Sequence, residues 1–363
     1  MNLAIITQVF FHFLIDKLPI GFLLITCYLA ITPVAMKKII ISALILFTAI
    51  YFLSACKKNE STAIAPDQPV DPVPPVSNSC TATKTAAENI AIFPGDNSWN
   101  KDISASAIDP YSTRIVAGFA SNVIKADFGT GLWENAPIGI PYIVVCGNQP
   151  KIPVTFTDYG DESDAGPYPI PLTTPIEGNG NGDSHVIAVD IENGMLYELF
   201  NAHVSRSRWD ASSGAIFNLK TNTMRTDGWT SADAAGLPIF PGLVRYDEIV
   251  KGVIDHPIRF TLSSSLVKPA YIYPARHKVS SSGGQYSLPF GARIRLKDSF
   301  NVSSYSATNQ IILKALKKYG LILADIGSNL YVSGAPDQRW NNDDLRKLGQ
   351  LHGSDFEVVK FNN

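Results

Sequence analysis

The sequence predicts a mainly β protein: a single sandwich or jelly-roll-like or barrel domain carrying a few short helices. Three observations predict it. Short runs of β-branched and aromatic residues, bounded by Gly, Pro, Asn or Asp, recur along the chain after residue 86. Gly (26) and Pro (24) are slightly enriched, which favours turns over long helices. Strands do not alternate with helical patterns, which argues against a parallel α/β sheet.

The candidate strands fall at residues 142–146, 154–157, 185–190, 196–200, 215–219, 271–273, 292–296, 321–324, 330–332 and 356–359. Asn193-Gly194 lies between the third and fourth of these, and both residues accept the positive φ of a tight hairpin turn. One helix is expected over residues 308–319. Ile311, Ile312, Ala315, Leu316 and Tyr319 share one face at helical spacing, while Lys314, Lys317 and Lys318 lie on the other face and in the last turn. Gly320 is a suitable stop. A second short helix is expected around 343–348, capped by Asn341 or Asn342, and a third from Thr230 or Ser231 over 233–235. The segment 86–363 reads as one β-rich globular domain without a fixed-period repeat.

The N-terminus reads as an address. Lys37 and Lys38 precede an uncharged stretch from Ile39 to Ala55, and Cys56 follows it. A positive start, an apolar middle and small residues before a cut describe a secretory signal over residues 36–55. Leu53-Ser54-Ala55-Cys56 resembles the lipobox of bacterial lipoproteins, and that resemblance implies lipid attachment at Cys56. A membrane span over 39–55, alone or as a hairpin with 18–35, is the competing reading. Because no secretory signal begins with a second apolar block, translation is expected to start at Met36, leaving residues 1–35 unmade. Residues 56–85, with Pro66, Pro69, Pro72, Pro74 and Pro75, read as a tether. The expected location is therefore the cell envelope, at the outer membrane or surface of a Gram-negative bacterium, with the membrane as a partner through the anchor.

With Cys27 in the leader and Cys56 acylated, Cys80 and Cys146 remain. In an oxidising compartment they form a disulfide or stay as two buried thiols. The net charge of −2 excludes a broad polybasic surface, so nucleic acid is not an expected partner. No phosphate-binding, nucleophile-elbow, zinc-protease or EF-hand motif is present, and no nucleotide is expected. The Gly-rich stretch 177–183 precedes a strand without a lysine and reads as a mobile loop.

Several polar residues sit where chemistry is conceivable. Asp158, Asp161, Glu162 and Asp164 follow a strand closely. They form a solvated acidic loop, a calcium site on Asp158, Asp161 and Asp164, or a source of catalytic carboxylates. Calcium is the only cofactor this sequence suggests. Asp183 and His185 open an apolar strand, and Glu198 lies among large apolar residues in the next one. Burial there would raise the Glu198 pKa toward that of a general acid, whereas a one-faced sheet would leave it in solvent. The segment 227–248 holds Trp229, Asp233 and Arg245, followed by Asp255-His256 and Arg276-His277. These blocks, with Gly291-Ala292-Arg293-Ile294-Arg295-Leu296 and Ala315-Leu316-Lys317-Lys318-Tyr319-Gly320, resemble a group of secreted bacterial proteins without a catalytic assignment to carry over. The resemblance spans residues 90–360 and supports a single domain.

Trp99, Trp133, Trp209, Trp229 and Trp340 lie near polar or Gly-rich stretches, where they plug the ends of a sandwich or stack on sugar rings. The leading expectation is a lipid-anchored glycoside hydrolase acting on a polysaccharide. Glu198 and one of Asp161, Asp164 or Asp183 would serve as the carboxylate pair, with His185 and Arg276 positioning substrate. Trp209, Trp229, Asp233 and Arg245 would bind the glycan. A polysaccharide lyase would instead use Arg276 to neutralise a uronate while His256 or His277 removes a proton. A glycan-binding module or an envelope-assembly lipoprotein without chemistry is the alternative class.

Overall fold

A computed structural model describes residues 80–361, all within the compact unit Ser77–Asn363. The expectations for the leader, the lipobox with Cys56 and most of the tether lie outside the described residues. Among the described residues the fold is mainly β, with several sheets, a few short helices and no closed barrel. Among the described residues no helix is long and apolar enough to cross a membrane.

The larger sheet has six strands in the order Lys125–Asp127, Tyr331–Ser333, Ile258–Leu262, Leu321–Ile326, Arg293–Leu296 and Phe356–Val358. Its register sorts the side chains into two faces. Directly paired residues project together, so Phe260, Val332, Leu323, Ile294 and Val358 build one apolar face of the main core. The opposite face carries Arg259, Arg293, Arg295, Glu357, Asp325, Ser333 and Asp127. This polar face is where the chemistry collects.

The second sheet runs Ser213–Asn218, Met195–Phe200, Val186–Asp190 and Ile143–Val145. The Asn193-Gly194 turn joins its two central strands, with Gly194 at φ 66°. Both faces of this sheet are covered. Ile187, Val189, Leu196 and Phe217 enter the main core, while Val186, Ala188, Tyr197 and Leu199 enter a second core with Tyr168, Ile170 and Trp209. Double coverage explains why every residue of Val186–Asp190 is buried. A smaller three-stranded sheet and two short strand pairs complete the domain.

The expected long helix is present as Ala307–Lys318, capped by Ser306, whose hydroxyl accepts from Asn309 N at 3.1 Å. The second is Asn342–Leu345 with Asn341 as its cap, and it continues as a 3-10 turn over Arg346–Gln350. The third expected helix does not form. Ser231 Oγ accepts from Asp233 N at 2.9 Å and bonds Leu237 O at 2.6 Å, closing an irregular turn that competes with helix. Three short helices not expected from sequence also appear: Lys84–Glu88, Ser112–Ala117 and Tyr246–Lys251.

Cys80 and Cys146 are joined in a disulfide, with Cα atoms 5.8 Å apart and 66 positions between them in sequence. A loop of that size is worth about 4 kcal/mol in the chain-entropy account. The bond fixes the start of the domain beside the second sheet.

Candidate functional site

The polar face of the six-stranded sheet meets the Thr230–Ala234 turn at a cavity of ≈190 Å³. Asp183, Asp233, Asp325, His277 and Tyr159 are among the side chains lining it. Arg259 organises the carboxylates. Its Nε donates to Asp233 Oδ2 at 2.9 Å, while Nη2 reaches Asp233 Oδ1 at 3.4 Å and Asp325 Oδ2 at 3.1 Å. Nη1 donates to Ser333 Oγ at 2.7 Å. Two carboxylates therefore share one buried guanidinium.

One cation does not neutralise two acids. Burial first, and then the Asp233 charge, push the Asp325 carboxyl up to about 7, against the pull of Arg259. Burial raises Asp233 as well, against the bidentate hold of Arg259, so the two carboxyls titrate as a coupled pair on one guanidinium. Asp183 is exposed at the cavity and its carboxylate makes no side-chain hydrogen bond among the described residues. Asp127, exposed on the edge strand of the same sheet, lies within reach of the Glu177 and Asp183 charges.

His185 underlies the cavity without lining it. Its Nδ1 lies 2.5 Å from Glu177 Oε2, and its Nε2 lies 3.0 Å from Ala232 O. Both partners accept, so both ring nitrogens donate and the imidazole is a buried cation. Burial alone would lower its pKa, but the Glu177 charge and hydrogen bond push it up to about 9. Burial would likewise raise Glu177, which the imidazolium holds below its ordinary value. The pair ties the Gly-rich loop to the strand and to the Thr230–Ala234 turn, so this loop is pinned at Glu177.

The sign of the pH effect follows. His185 is raised, so its contribution is complete below its ordinary 6.5 and is lost as pH rises through about 9. Glu177 is lowered, so its contribution is complete above its ordinary 4.5 and is lost as pH falls below that. We expect His185→Gln to cost about 3–5 kcal/mol, the range for breaking a buried ion pair. Urea midpoints of the two proteins should differ most between pH 4.5 and 6.5 and converge on either side. A constant difference across pH would contradict the charged pair.

Glu198 is fully buried on the core-facing side of its strand, not in solvent. Its Oε1 accepts from Ile239 N at 3.0 Å and Phe240 N at 2.8 Å, and Oε2 accepts from Ile239 N at 2.9 Å. Burial raises it to about 7 despite these bonds. It does not line the cavity, so the expected catalytic carboxylate is placed behind the site, holding the Phe240–Gly242 turn.

The other candidates scatter. Arg245 and His256 belong to a separate buried network: Arg245 pairs with Glu88 and Glu248, and His256 Nε2 lies 2.8 Å from Glu248 Oε1. That network flanks a second, open depression of ≈550 Å³. Arg276 pairs with Asp227 at 3.3 Å, away from the carboxylates. His277 does reach the cavity; its Nδ1 bonds Ala234 O at 2.8 Å, and Nε2 lies 3.6 Å from Glu162. Trp229 is half-buried beside Arg225. Trp209 is completely buried with Nε1 donating to Ile170 O at 3.0 Å, so it presents no face to a ligand.

Of the three carboxylates of the expected calcium site, two have other partners. Asp164 is held by Arg225 and by Ile216 N, while Asp158 accepts from Ser212 and Thr157, so the carboxylates are spent separately. Among the described residues, the one group of three potential metal ligands with converging donor atoms is Cys80, Cys146 and Glu192. Two of those are consumed by the disulfide.

Asp325, Arg259 and Glu177 were not candidates from sequence. The available signal was a single charge inside an apolar run: Asp325 after Leu321–Ala324, and Arg259 between Ile258 and Phe260. No protein-family model, no curated protein and no solved structure matches this chain.

Proposed function

We propose that this protein is a glycoside hydrolase with Asp325 as the proton donor and Asp183 as the second carboxyl group of the pair. The observation that carries this reading is the pairing of Asp233 and Asp325 on Arg259. It leaves one carboxyl protonated near neutral pH in a cavity where a second carboxylate is unengaged. A proton donor and a second carboxyl group at one site are what hydrolysis of a glycosidic bond requires. Asp325 would protonate the leaving oxygen, and Asp183 would activate water or attack the sugar. Arg259 and Asp233 set the acid, and the His185–Glu177 pair holds the walls.

The disulfide and the lipobox together support a location outside the cytoplasm, lipid-anchored in the cell envelope. A polysaccharide lyase is the second reading, favoured by His277. With Nδ1 committed to Ala234 O, its Nε2, 3.6 Å from Glu162, is the nitrogen that would take a proton.

The test is product release from neutral and acidic polysaccharides, read as reducing ends and as unsaturated-uronate absorbance. Reducing ends without absorbance support the hydrolase, and absorbance that depends on His277 supports the lyase. Release of neither from any polymer contradicts both readings.

A further inference from the structure

We propose that a groove continuing from the cavity binds a neutral polysaccharide chain, with exposed Trp133 as its aromatic platform and Tyr331, whose ring carries Lys125 Nζ at 5.2 Å, in its floor. The proposal rests on the hydrolase reading for the chemistry at one end. Sheet register lays down the track. Lys125 pairs with Tyr331, Tyr331 with Thr261, and Thr261 with Asp325, across four adjacent strands. Direct partners project to one face, and neighbouring strands lie about 4.8 Å apart, so the row runs ~14 Å from Asp325 to Lys125.

Two open depressions follow that row. The first, ≈510 Å³, is lined by Asn122, Lys125, Ser263, Asn329 and Tyr331, and also by Gly327, which directly follows the cavity residues Asp325 and Ile326. The second, ≈490 Å³, shares Lys125 and Tyr331 with it and extends to Trp133. Trp133 is 71% exposed, on a hairpin formed by Leu132–Trp133 and Ala136–Pro137. That hairpin is fastened to the cavity loop, because Asn179 Nδ2 donates to Asn135 O at 2.8 Å. Hydroxyl and amide side chains on one side of Tyr331, and an apolar wall running from Tyr331 to Trp133 on the other, match a sugar chain, which offers hydroxyls at its edges and C–H groups on its faces.

Charge selects among glycans. Lys125 and Arg346 line the groove, but at the cavity end Asp127, Glu177, Asp183 and Asp233 outnumber Arg259 and His185, with Asp325 left out as the group that carries a proton. A polyuronate would be repelled there, and a neutral chain would not.

Affinity electrophoresis of the intact protein in hydroxyethyl cellulose, galactomannan, dextran and polygalacturonate tests this, alongside Trp133→Ala and Tyr331→Ala. Binding to at least one neutral polymer is expected, weakened about tenfold or more by either substitution, with none to polygalacturonate. Trp133 is exposed, so an unchanged melting midpoint should accompany its loss of binding. Failure to bind any neutral polymer, equal binding by both variants, or preference for polygalacturonate overturns the groove. Trp133-dependent binding without cleavage would retain the groove and remove the hydrolase. Cleavage that needs Asp325 but is indifferent to Trp133 and Tyr331 would do the reverse.

Discussion

Asp325→Asn is expected to lower the rate of glycoside cleavage by about 10²–10⁴-fold, the usual contribution of a positioned general acid. The amide keeps the shape and can still accept from Arg259, so folding should survive. What it loses is the proton. The wild-type rate should fall as pH rises through about 7, where Asp325 gives up its proton, and the residual rate of the variant should lack that limb. Steady-state kinetics on an aryl glycoside with a good leaving group add a check, because such a substrate needs no acid and should lose far less. Equal losses on both substrates would mean that Asp325 acts on structure alone.

Glu198→Ala should be strongly destabilising, by about 3–5 kcal/mol. It opens a cavity in the main core and leaves two buried backbone donors, Ile239 N and Phe240 N, without an acceptor. Glu198→Gln retains one accepting oxygen and should cost less. The folded pKa of about 7 lies above the ordinary 4.5. The carboxyl's stabilising effect is therefore complete below pH 4.5 and is lost as pH rises through about 7. Relative to wild type, the Gln variant should compare worst in mild acid and best above neutrality. Urea denaturation at pH 5 and pH 8 measures this, and a Glu198→Ala protein as stable as wild type would remove the assigned role.

Much of the fold was legible because it depends on local chemistry. Asn193-Gly194 marks its hairpin, and the spacing of Ile312, Ala315 and Leu316 marks its helix. The strand Ile258–Leu262 was not legible, although it lies within the larger sheet, because Pro257 and Arg259 interrupt its apolar pattern. Arg259 is tolerated there only through Asp233 and Asp325, which lie 26 and 66 positions away. Long-range pairing of that kind leaves no local trace.

The site divides in the same way. Asp183, Asp233 and His277 were nominated from sequence and meet at the cavity. Burial of Glu198 was foreseeable from its neighbours, but its partners are backbone N–H groups that no residue letter identifies. His185 likewise ends on Ala232 O and Glu177, which commits both nitrogens to holding the wall. Polar residues at strand ends were visible; which of them would be spent on the backbone was not.

The hydrolase reading stands on Asp325 holding a proton up to about pH 7 inside this cavity. Carbon-13 NMR of aspartate side-chain carboxyls, followed from pH 3 to pH 9, reads that proton. One aspartate should titrate near 7, be absent in Asp325→Asn and move toward the ordinary range in Asp233→Asn. Asp325 titrating with the ordinary aspartates near 3.8 would contradict it, because the site would then have no proton to give.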